Sequence, residues 1–196
     1  MKPIRYDDYY WRTELVTLRA VEEGDWELGY YNRFDTPARR LLQHEVELPP
    51  TEAEARAFSE RFAAFAPEDG RIMFTLLNND GEVIGGVNLN SIDEKNGTFS
   101  IGMQIDRDHR GKGYGTSAMG LLLRYAFFER RLNKYYGHVL EGNIASARML
   151  EKLGCRQEGR RTQMVYTDGR YFDEILYGLT RDEFEANEAA VGGDNG

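Results

Sequence analysis

Residues 110–115, with the sequence RGKGYG, constrain the fold of this chain more than any other segment. They follow a strand-like run at residues 98–105 and lead directly into a run with helical periodicity at residues 116–131. Glycine at alternate positions removes the Cβ atoms that would hold a ligand away from the main chain. The N–H groups of such a loop and of the next helical turn can converge on an anion, which the helix start also attracts. The segment therefore predicts a strand-to-helix turn that binds phosphate.

Two better-known phosphate motifs do not fit this segment. A Walker loop has Lys and Ser or Thr directly after its last glycine, whereas Lys112 precedes the last two glycines here. A dinucleotide fingerprint reads G-x-G-x-x-G, but the spacing here is G-x-G-x-G and no suitably placed acidic ribose ligand follows. An ordinary glycine-rich turn remains open from the loop alone, so the flanking sequence has to decide.

The flanking sequence resembles the GNAT superfamily of N-acetyltransferases. The phosphate loop of that family reads [Q/R]-x-x-G-x-[G/A], and residues 110–115 match every position. Residues 143–146 (NIAS) and 149–154 (MLEKLG) resemble the segment after the fifth strand in the RimJ/RimL-type branch, which modifies the N-termini of ribosomal proteins. Cys155 stands where that branch usually has Phe. Residues 158–173 resemble the closing hairpin of the branch, so the resemblance covers nearly the whole chain.

Hydrophobic periodicity predicts an α+β chain arranged in α/β/α layers, with a mostly antiparallel mixed sheet and helices on both faces. The predicted strands are residues 15–20, 71–77, 82–90, 98–105, 135–140, 163–166 and 175–179. Helices are predicted after Asp25 to about residue 33, after Thr51 to about residue 65, and at residues 116–131 and 145–153. The resemblance further implies that strands four and five splay apart, with a β-bulge near residues 103–105.

Length and composition indicate one soluble domain. The chain has 196 residues, of which 41% are hydrophobic and 30% are charged. We divide it into an N-terminal tail at residues 1–13, a catalytic domain at 14–184 and a disordered C-terminal tail at 185–196. The aromatic residues of the N-terminal tail suggest a possible homodimer.

Charge and hydropathy exclude several classes of protein. The net charge of −8 argues against nonspecific nucleic-acid binding, although Arg107, Arg110 and Lys112 crowd the glycine loop. The chain has no apolar run long enough to span a membrane, and its first residues lack the apolar core of a signal peptide. Cys155, the single cysteine, has no partner for an internal disulfide. We therefore expect a cytoplasmic protein that binds neither membranes nor nucleic acid.

The resemblance implies acetyl-CoA as cosubstrate and no metal. The residues that it implies for binding acetyl-CoA are Met103, Gln104, Ile105, Arg110, Gly111, Lys112, Gly113, Tyr114, Gly115, Thr116 and Asn143. The pyrophosphate would meet the loop, and the pantetheine arm would pair with residues 103–105. A main-chain N–H near Gln104 or Ile105 is the expected donor to the oxyanion.

The catalytic candidates are Glu141, Ser146 and Asn143. Glu141, at the end of strand five, is our first candidate for the general base, and His138 is interpreted as a core or surface histidine on the opposite face. Many family members have a tyrosine acid where this chain has Leu150, and the RimJ/RimL-type branch is thought to use the serine matching Ser146. Asn143 can cap the following helix and bind the pantetheine amide.

The free energy needed to deprotonate the attacking amine distinguishes between kinds of acceptor. Deprotonating a lysine-like amine at pH 7 costs roughly 4–5 kcal/mol, whereas an α-amine costs about 1.4 kcal/mol. The resemblance implies transfer of acetyl to an amine by direct attack in a ternary complex, and these costs favour a protein N-terminus or a small amine as acceptor. Cys155 is expected to be a buried, inert thiol and not an acetyl carrier. A polyamine or antibiotic acetyltransferase and a non-catalytic acyl-CoA-binding module stay open. Residues 34–50 are interpreted as a substrate-facing loop, in which Glu45 or Glu47 could contact a cationic acceptor.

Overall fold

A mixed β-sheet forms the middle layer of the protein, as seen in a computed structural model that describes residues 8–63 and 70–193. The strands of the described residues are β1 (Thr17–Ala20), β2 (Ile72–Leu77), β3 (Val83–Asp93), β4 (Thr98–Ile105), β5 (Lys134–Leu140), β6 (Arg156–Thr167) and β7 (Arg170–Thr180). Their order is β1-β2-β3-β4-β5-β7-β6, and all neighbours are antiparallel except β4 and β5, which are parallel. The predicted mixed, mostly antiparallel sheet is confirmed.

Helices cover both faces of the sheet. They are α1 (Trp26–Asn32), α2 (Thr36–Gln43), α3 (Glu52–Ala63), α4 (Tyr114–Arg124, extended by a π-helical turn at Tyr125–Glu129), α5 (Ile144–Lys152) and α6 (Arg181–Gly193). Phe99 of β4 is fully buried in a cluster with residues of α4 and α5, whereas its neighbours Gly102 and Gln104 line a cavity beneath α1 and α3. We call these two sides the α4–α5 face and the α1–α3 face. Among the described residues, no helix is both long and apolar enough to cross a membrane.

The sheet splits between β4 and β5. These strands pair only at Thr98 with Lys134 and at Phe99 with Tyr135 within the described residues, and the Ser100 hydroxyl donates to the Tyr136 carbonyl (2.6 Å) just beyond. From there β5 continues alongside β7, while β4 stays paired with β3. The predicted splayed cleft is therefore confirmed.

The predicted β-bulge near residues 103–105 is wrong. Met103, Gln104 and Ile105 pair in continuous register with β3, and the irregularity in that pairing lies between Asn90 and Asp93 instead. Glycine at position 85 lets β3 approach β4 closely at this end, since a Cβ there would overlap the Gln104 carbonyl oxygen. The cleft thus opens because β4 follows β3 and β5 follows β7, without a kink in β4.

Helix α2 lies within residues 34–50, which were predicted to form a loop. Asp35 caps its start by accepting the Ala38 N–H (3.4 Å), and Pro37 occupies its first turn. His44 ends the helix in a left-handed conformation, with φ 65°. The aspartate and proline were readable signals, but the short helix lacks a long periodic run.

The chain ends also differ from the predicted tails. Residues 185–193 are helical where disorder was expected, because α6 buries Phe184 (4% exposed) against Phe127 and Phe128. Trp11 packs on Phe74 and Tyr125, with ring centroids 4.7 and 4.8 Å apart, so the described part of the N-terminal tail joins the core. Residues 1–7 and 194–196 lie outside the described residues.

Candidate active site

The glycine loop leaves the first N–H groups of α4 open to a ligand. Gly111 and Gly113 have φ of 76° and 85°, a left-handed conformation that glycine adopts without strain. The first main-chain bond of the helix runs from the Ser117 N–H to the Gly113 carbonyl (3.1 Å). The N–H groups of residues 114–116 precede that bond and have no acceptor within the helix. With the exposed Lys112 beside it, this turn is suited to a phosphate.

Arg110 fixes the position of the loop through two contacts. Its Nε donates to the carbonyl of Ile105 (2.9 Å), and its guanidinium lies 2.7 Å from the buried carboxylate of Asp35. Arg107 binds the same carboxylate (2.7 Å), and the hydrogen bonds from Arg107 and Arg110 lower the pKa of Asp35 to about 2. The end of β4 and the start of α2 are thereby joined at one ion cluster.

Gly115 brings three elements together at the loop. A Cβ at this position would lie 3.3 Å from the sulfur of Met103 in β4 and 3.4 Å from that of Met149 in α5. The bare glycine therefore lets α4 start close to both β4 and α5. At the start of α5, the Asn143 side chain accepts the Ser146 N–H (3.2 Å), so the predicted cap is present and both residues lie on the same side as the loop.

Residues 103–105 of β4 alternate between the two faces. Met103 and Ile105 pack against the buried clusters beneath α4. Gln104 points to the α1–α3 face, where its Oε1 accepts a hydrogen bond from Arg39 (2.6 Å) and its Nε2 donates to the Asn32 carbonyl (3.3 Å). The free edge of β4 in the cleft is therefore lined by main chain, with its side chains held on either side.

Glu141 and His138 lie on opposite faces of β5, as the alternation predicts. The exposed Glu141 carboxylate binds Arg160 (2.5 Å) of β6. His138 lies on the α1–α3 face next to His44 and the buried Glu174. Sequence reasoning missed His44 and Glu174, because their contact with His138 depends on the position of α2 and on β7 lying beside β5.

A cavity of about 560 Å³ lies on the α1–α3 face beneath the first three helices. Its carboxylates are all paired among the described residues: Asp25 with Arg19 (2.7 Å), Glu47 with Arg39 (2.5 Å) and Glu54 with Arg33 (3.0 Å). The Arg39 hydrogen bond lowers the pKa of Glu47. The Glu47 carboxylate is thus bound to Arg39, whereas Glu45 is exposed to solvent.

The Cys155 thiol has the environment expected of an inert side chain. It is 4% exposed and packs in the main hydrophobic cluster. Burial raises the pKa of this thiol to about 12, so the reactive thiolate is scarce at neutral pH.

A sheet that splits at a parallel strand pair, with a bare helix start at the mouth of the split, defines an acyltransferase type of site. The family model for the acetyltransferase (GNAT) domain matches residues 16–156. The chain therefore belongs to the GNAT acetyltransferase family and is an acyltransferase enzyme, which confirms the resemblance seen in the sequence.

Similar proteins agree with this assignment. The chain is 31% identical to the SPbeta prophage-derived uncharacterized N-acetyltransferase YokL of Bacillus subtilis (strain 168), covering 91% of this chain and 97% of the relative. It is 32% identical to the putative ribosomal N-acetyltransferase YdaF of the same organism, covering 89% and 96%. The crystal structure of spermidine N-acetyltransferase from Vibrio cholerae, in complex with CoA and spermine, shares the fold with a TM-score of 0.76 at 22% identity, covering 88% and 99%.

Proposed function

We propose that this enzyme transfers the acetyl group of acetyl-CoA to the α-amine of a protein or peptide N-terminus. The observation that carries the proposal is the split between β4 and β5, with the open N–H groups of α4 at its mouth. Such a slot suits a long donor that has a diphosphate at one end and amide groups along its arm. The related putative ribosomal N-acetyltransferase supports an acceptor in a protein, and the lower cost of deprotonating an α-amine favours its N-terminus.

The donor side would be held mainly by main chain. The N–H groups of residues 111–116 would bind the pyrophosphate, with Lys112 offsetting its charge and Arg110 holding the loop. Main-chain groups of Met103, Gln104 and Ile105 at the open edge of β4 would bind the pantetheine arm, together with Asn143. When bound, acetyl-CoA supplies the thioester carbonyl that the amine attacks.

Residues of this chain would then stabilise the oxyanion and transfer the protons. A main-chain N–H of β4, near Gln104 or Ile105, would stabilise the oxyanion. Ser146, in the first turn of α5, is the proposed donor of a proton to the leaving thiolate. Glu141 stays a candidate for the base, although its carboxylate is already bound to Arg160.

The carboxylates on the α1–α3 face, which are paired with arginines, indicate which kind of amine this face could bind. A polyamine carries several ammonium groups, each of which needs a carboxylate that is not already neutralised. The carboxylates of the described cavity are all bound to arginine, so they offer little to a polycation. A single α-amine needs no such set. We therefore rank a protein N-terminus above a polyamine, which is the second candidate because a spermidine N-acetyltransferase shares the fold.

Calorimetry with a pair of isosteric variants tests the donor site. Asp and Asn both tolerate the left-handed conformation of Gly113, so Gly113→Asp and Gly113→Asn differ mainly in charge. We expect the Asp variant to bind acetyl-CoA at least about tenfold more weakly than the Asn variant, which corresponds to about 1.4 kcal/mol. Equal affinities in the two folded variants would remove the loop from the site, and no binding by the wild type at millimolar ligand would reject the proposal.

Release of the CoA thiol with different amines tests the acceptor. We expect turnover with peptides that carry a free N-terminus and none with the same peptides after N-terminal blocking. Turnover with spermidine but not with peptides would favour the second candidate. Binding of acetyl-CoA without turnover on any amine would instead indicate a non-catalytic module.

A further inference from the structure

Two histidines and a buried carboxylate meet at the end of helix α2. His44 terminates α2, His138 lies in β5 and Glu174 lies in β7. The two imidazole centroids are 5.3 Å apart. One oxygen of Glu174 lies 3.7 Å from His138 Nε2 and 4.0 Å from His44 Nδ1. These residues, which we call the histidine cluster, have no part in the donor site described above.

The histidine cluster lies beside the opening between β4 and β5. His138 comes three residues after Tyr135, the last residue of β5 that pairs with β4. Helix α2 bridges the opening, because Arg39 binds Gln104 of β4 and His44 contacts His138 of β5. The cluster therefore faces the cleft from the α1–α3 face, opposite the glycine loop and α4.

Burial differs across the cluster in a way that suits proton transfer. The His138 side chain is 51% exposed, whereas that of Glu174 is 6% exposed. A proton taken up by the accessible imidazole would thus be stabilised by a carboxylate shielded from solvent. His44 is partly buried, and burial followed by the neighbouring His138 lowers the pKa of its imidazole.

Arg161 is the other charged side chain in contact with the cluster among the described residues. It binds the second oxygen of Glu174 (2.8 Å) from β6 and so holds the carboxylate in place. Glu141, by contrast, faces away from α2 and is bound to Arg160. Within the described residues no arginine or lysine binds the His138 imidazole, whereas Arg160 binds Glu141, so the geometry favours His138 as the proton acceptor.

We propose that His138 is the general base that takes the proton from the acceptor amine, with Glu174 as its positioning residue. The inference rests on the proposed function and adds a site to it. As the amine nitrogen attacks the thioester carbon, the C–N bond forms, the C–S bond breaks and CoA leaves as the thiolate. One N–H bond breaks in the same reaction, and its electron pair stays on the nitrogen. The proton bonds to the imidazole of His138, and it leaves to solvent after the product departs. Histidine is suited to this step because it changes protonation between pH 5 and 8.

The pH dependence of kcat/KM for a peptide with a free N-terminus tests this assignment. We expect His138→Gln to lower kcat/KM about 10²-fold at pH 7 while leaving the affinity for acetyl-CoA unchanged. On the acidic side of the profile, the slope of log(kcat/KM) against pH should be smaller by about one in the variant, since one ionisation is lost. Imidazole in the buffer should restore part of the activity of His138→Ala, because the side chain it replaces is accessible; a purely structural role would show no such rescue.

Two other measurements complete the test. Lys134→Gln, on the same face of β5 where β4 is still paired, should keep full activity and the wild-type pH profile. An unchanged rate and pH profile in His138→Gln, with an active wild type, would overturn the inference and leave the proposed function standing.

The histidine cluster could also hold a metal ion, because its nitrogen and oxygen atoms lie within 4.8 Å of one another. Loss of wild-type activity on dialysis against a chelator, with recovery on adding Zn²⁺ alone, would overturn the base in favour of a metal site.

Discussion

At the scale of single residues, Asp35 joins two parts of the site that are distant in sequence. It caps α2 and binds Arg107, which lies 72 residues further along the chain, as well as Arg110. The phosphate loop therefore depends on a carboxylate that lies in neither the loop nor the cleft. No local pattern near residue 110 could have identified it, because the contact is made by tertiary structure.

Replacing Asp35 tests this role. Because its pKa is lowered to about 2 in the folded protein, the carboxylate stabilises the fold above its ordinary value of 3.8, and that stabilisation is lost as the pH falls toward 2. We expect Asp35→Asn to lower the free energy of unfolding by about 2 kcal/mol at pH 7. Urea titration at pH 7 and at pH 3 measures this, and the difference from wild type should be smaller at pH 3.

The matched control for that experiment is Asp108→Asn. Asp108 is an exposed carboxylate in the turn that carries Arg107. Its substitution should change the free energy of unfolding by no more than about 0.5 kcal/mol. Equal effects of the two substitutions, or a difference that does not depend on pH, would contradict the role assigned to Asp35.

Cys155 gives a second prediction at this scale. Because the thiol is buried and its pKa is raised, a thiol reagent at pH 8 should label it only after the protein is unfolded. Cys155→Ala should keep its rate of CoA release. Rapid labelling of the native protein, or an acetylated enzyme trapped in the absence of amine, would show that the thiol takes part in the reaction.

The glycine loop between a strand and a helix could be predicted, whereas the residues of the histidine cluster could not. Residues 110–116 carry a local signal, since glycine spacing and helical periodicity lie within one short stretch. His138 was interpreted as a core or surface residue, because its partners come from α2 and β7. Sequence alone cannot show that β7, and not β6, lies beside β5.

At the scale of elements, α2 is the main difference between prediction and structure. Strand β4 was predicted with its observed bounds, and the helix after the glycine loop was found within a few residues. Helix α2 was taken for a loop because its eight residues give a weak periodic signal. Tertiary contacts hold it, notably those of Arg39 with Gln104 and with Glu47.

A double-mutant cycle on Arg39 and Glu47 tests how α2 is held. We expect Arg39→Met and Glu47→Gln each to destabilise the protein, with a coupling energy of about 1 kcal/mol or more measured by urea unfolding. Arg39→Met should also raise the KM for the acceptor peptide, since it releases α2 from β4, while the affinity for acetyl-CoA stays the same. Additive effects on stability would mean that the ion pair contributes nothing to holding the helix.

At the scale of the whole molecule, helix α6 belongs to the fold. The capping box of Thr180 and Glu183 starts it, with the Glu183 N–H bound to the Thr180 hydroxyl (3.3 Å) and the Thr180 N–H bound to the Glu183 carboxylate (2.9 Å). That T-x-x-E signal is present in the sequence. The small, polar residues after it led to the prediction of disorder.

Truncation distinguishes a structural helix from a tail. Ending the chain at residue 180 removes the buried Phe184, and we expect this to lower the free energy of unfolding by about 3–5 kcal/mol. Ending it at residue 190 keeps Phe184 and the ion pair between Arg124 and Glu188, so its melting temperature should stay near that of the full chain. Equal melting temperatures for the two truncated chains would show that α6 adds nothing to the core.

The short junction between β4 and β5 has a mechanical consequence for the enzyme. Within the described residues, strand pairing joins the two halves of the sheet at only two residue pairs. The two halves can therefore move relative to each other about this short junction. A donor bound in the gap, as proposed, would hydrogen-bond to main-chain groups that have no strand partner in the protein. We therefore expect the molecule to be stiffest while it holds its donor and loosest between turnovers, when product has left and the short strand pairing and the contacts of α2 connect the two halves of the sheet.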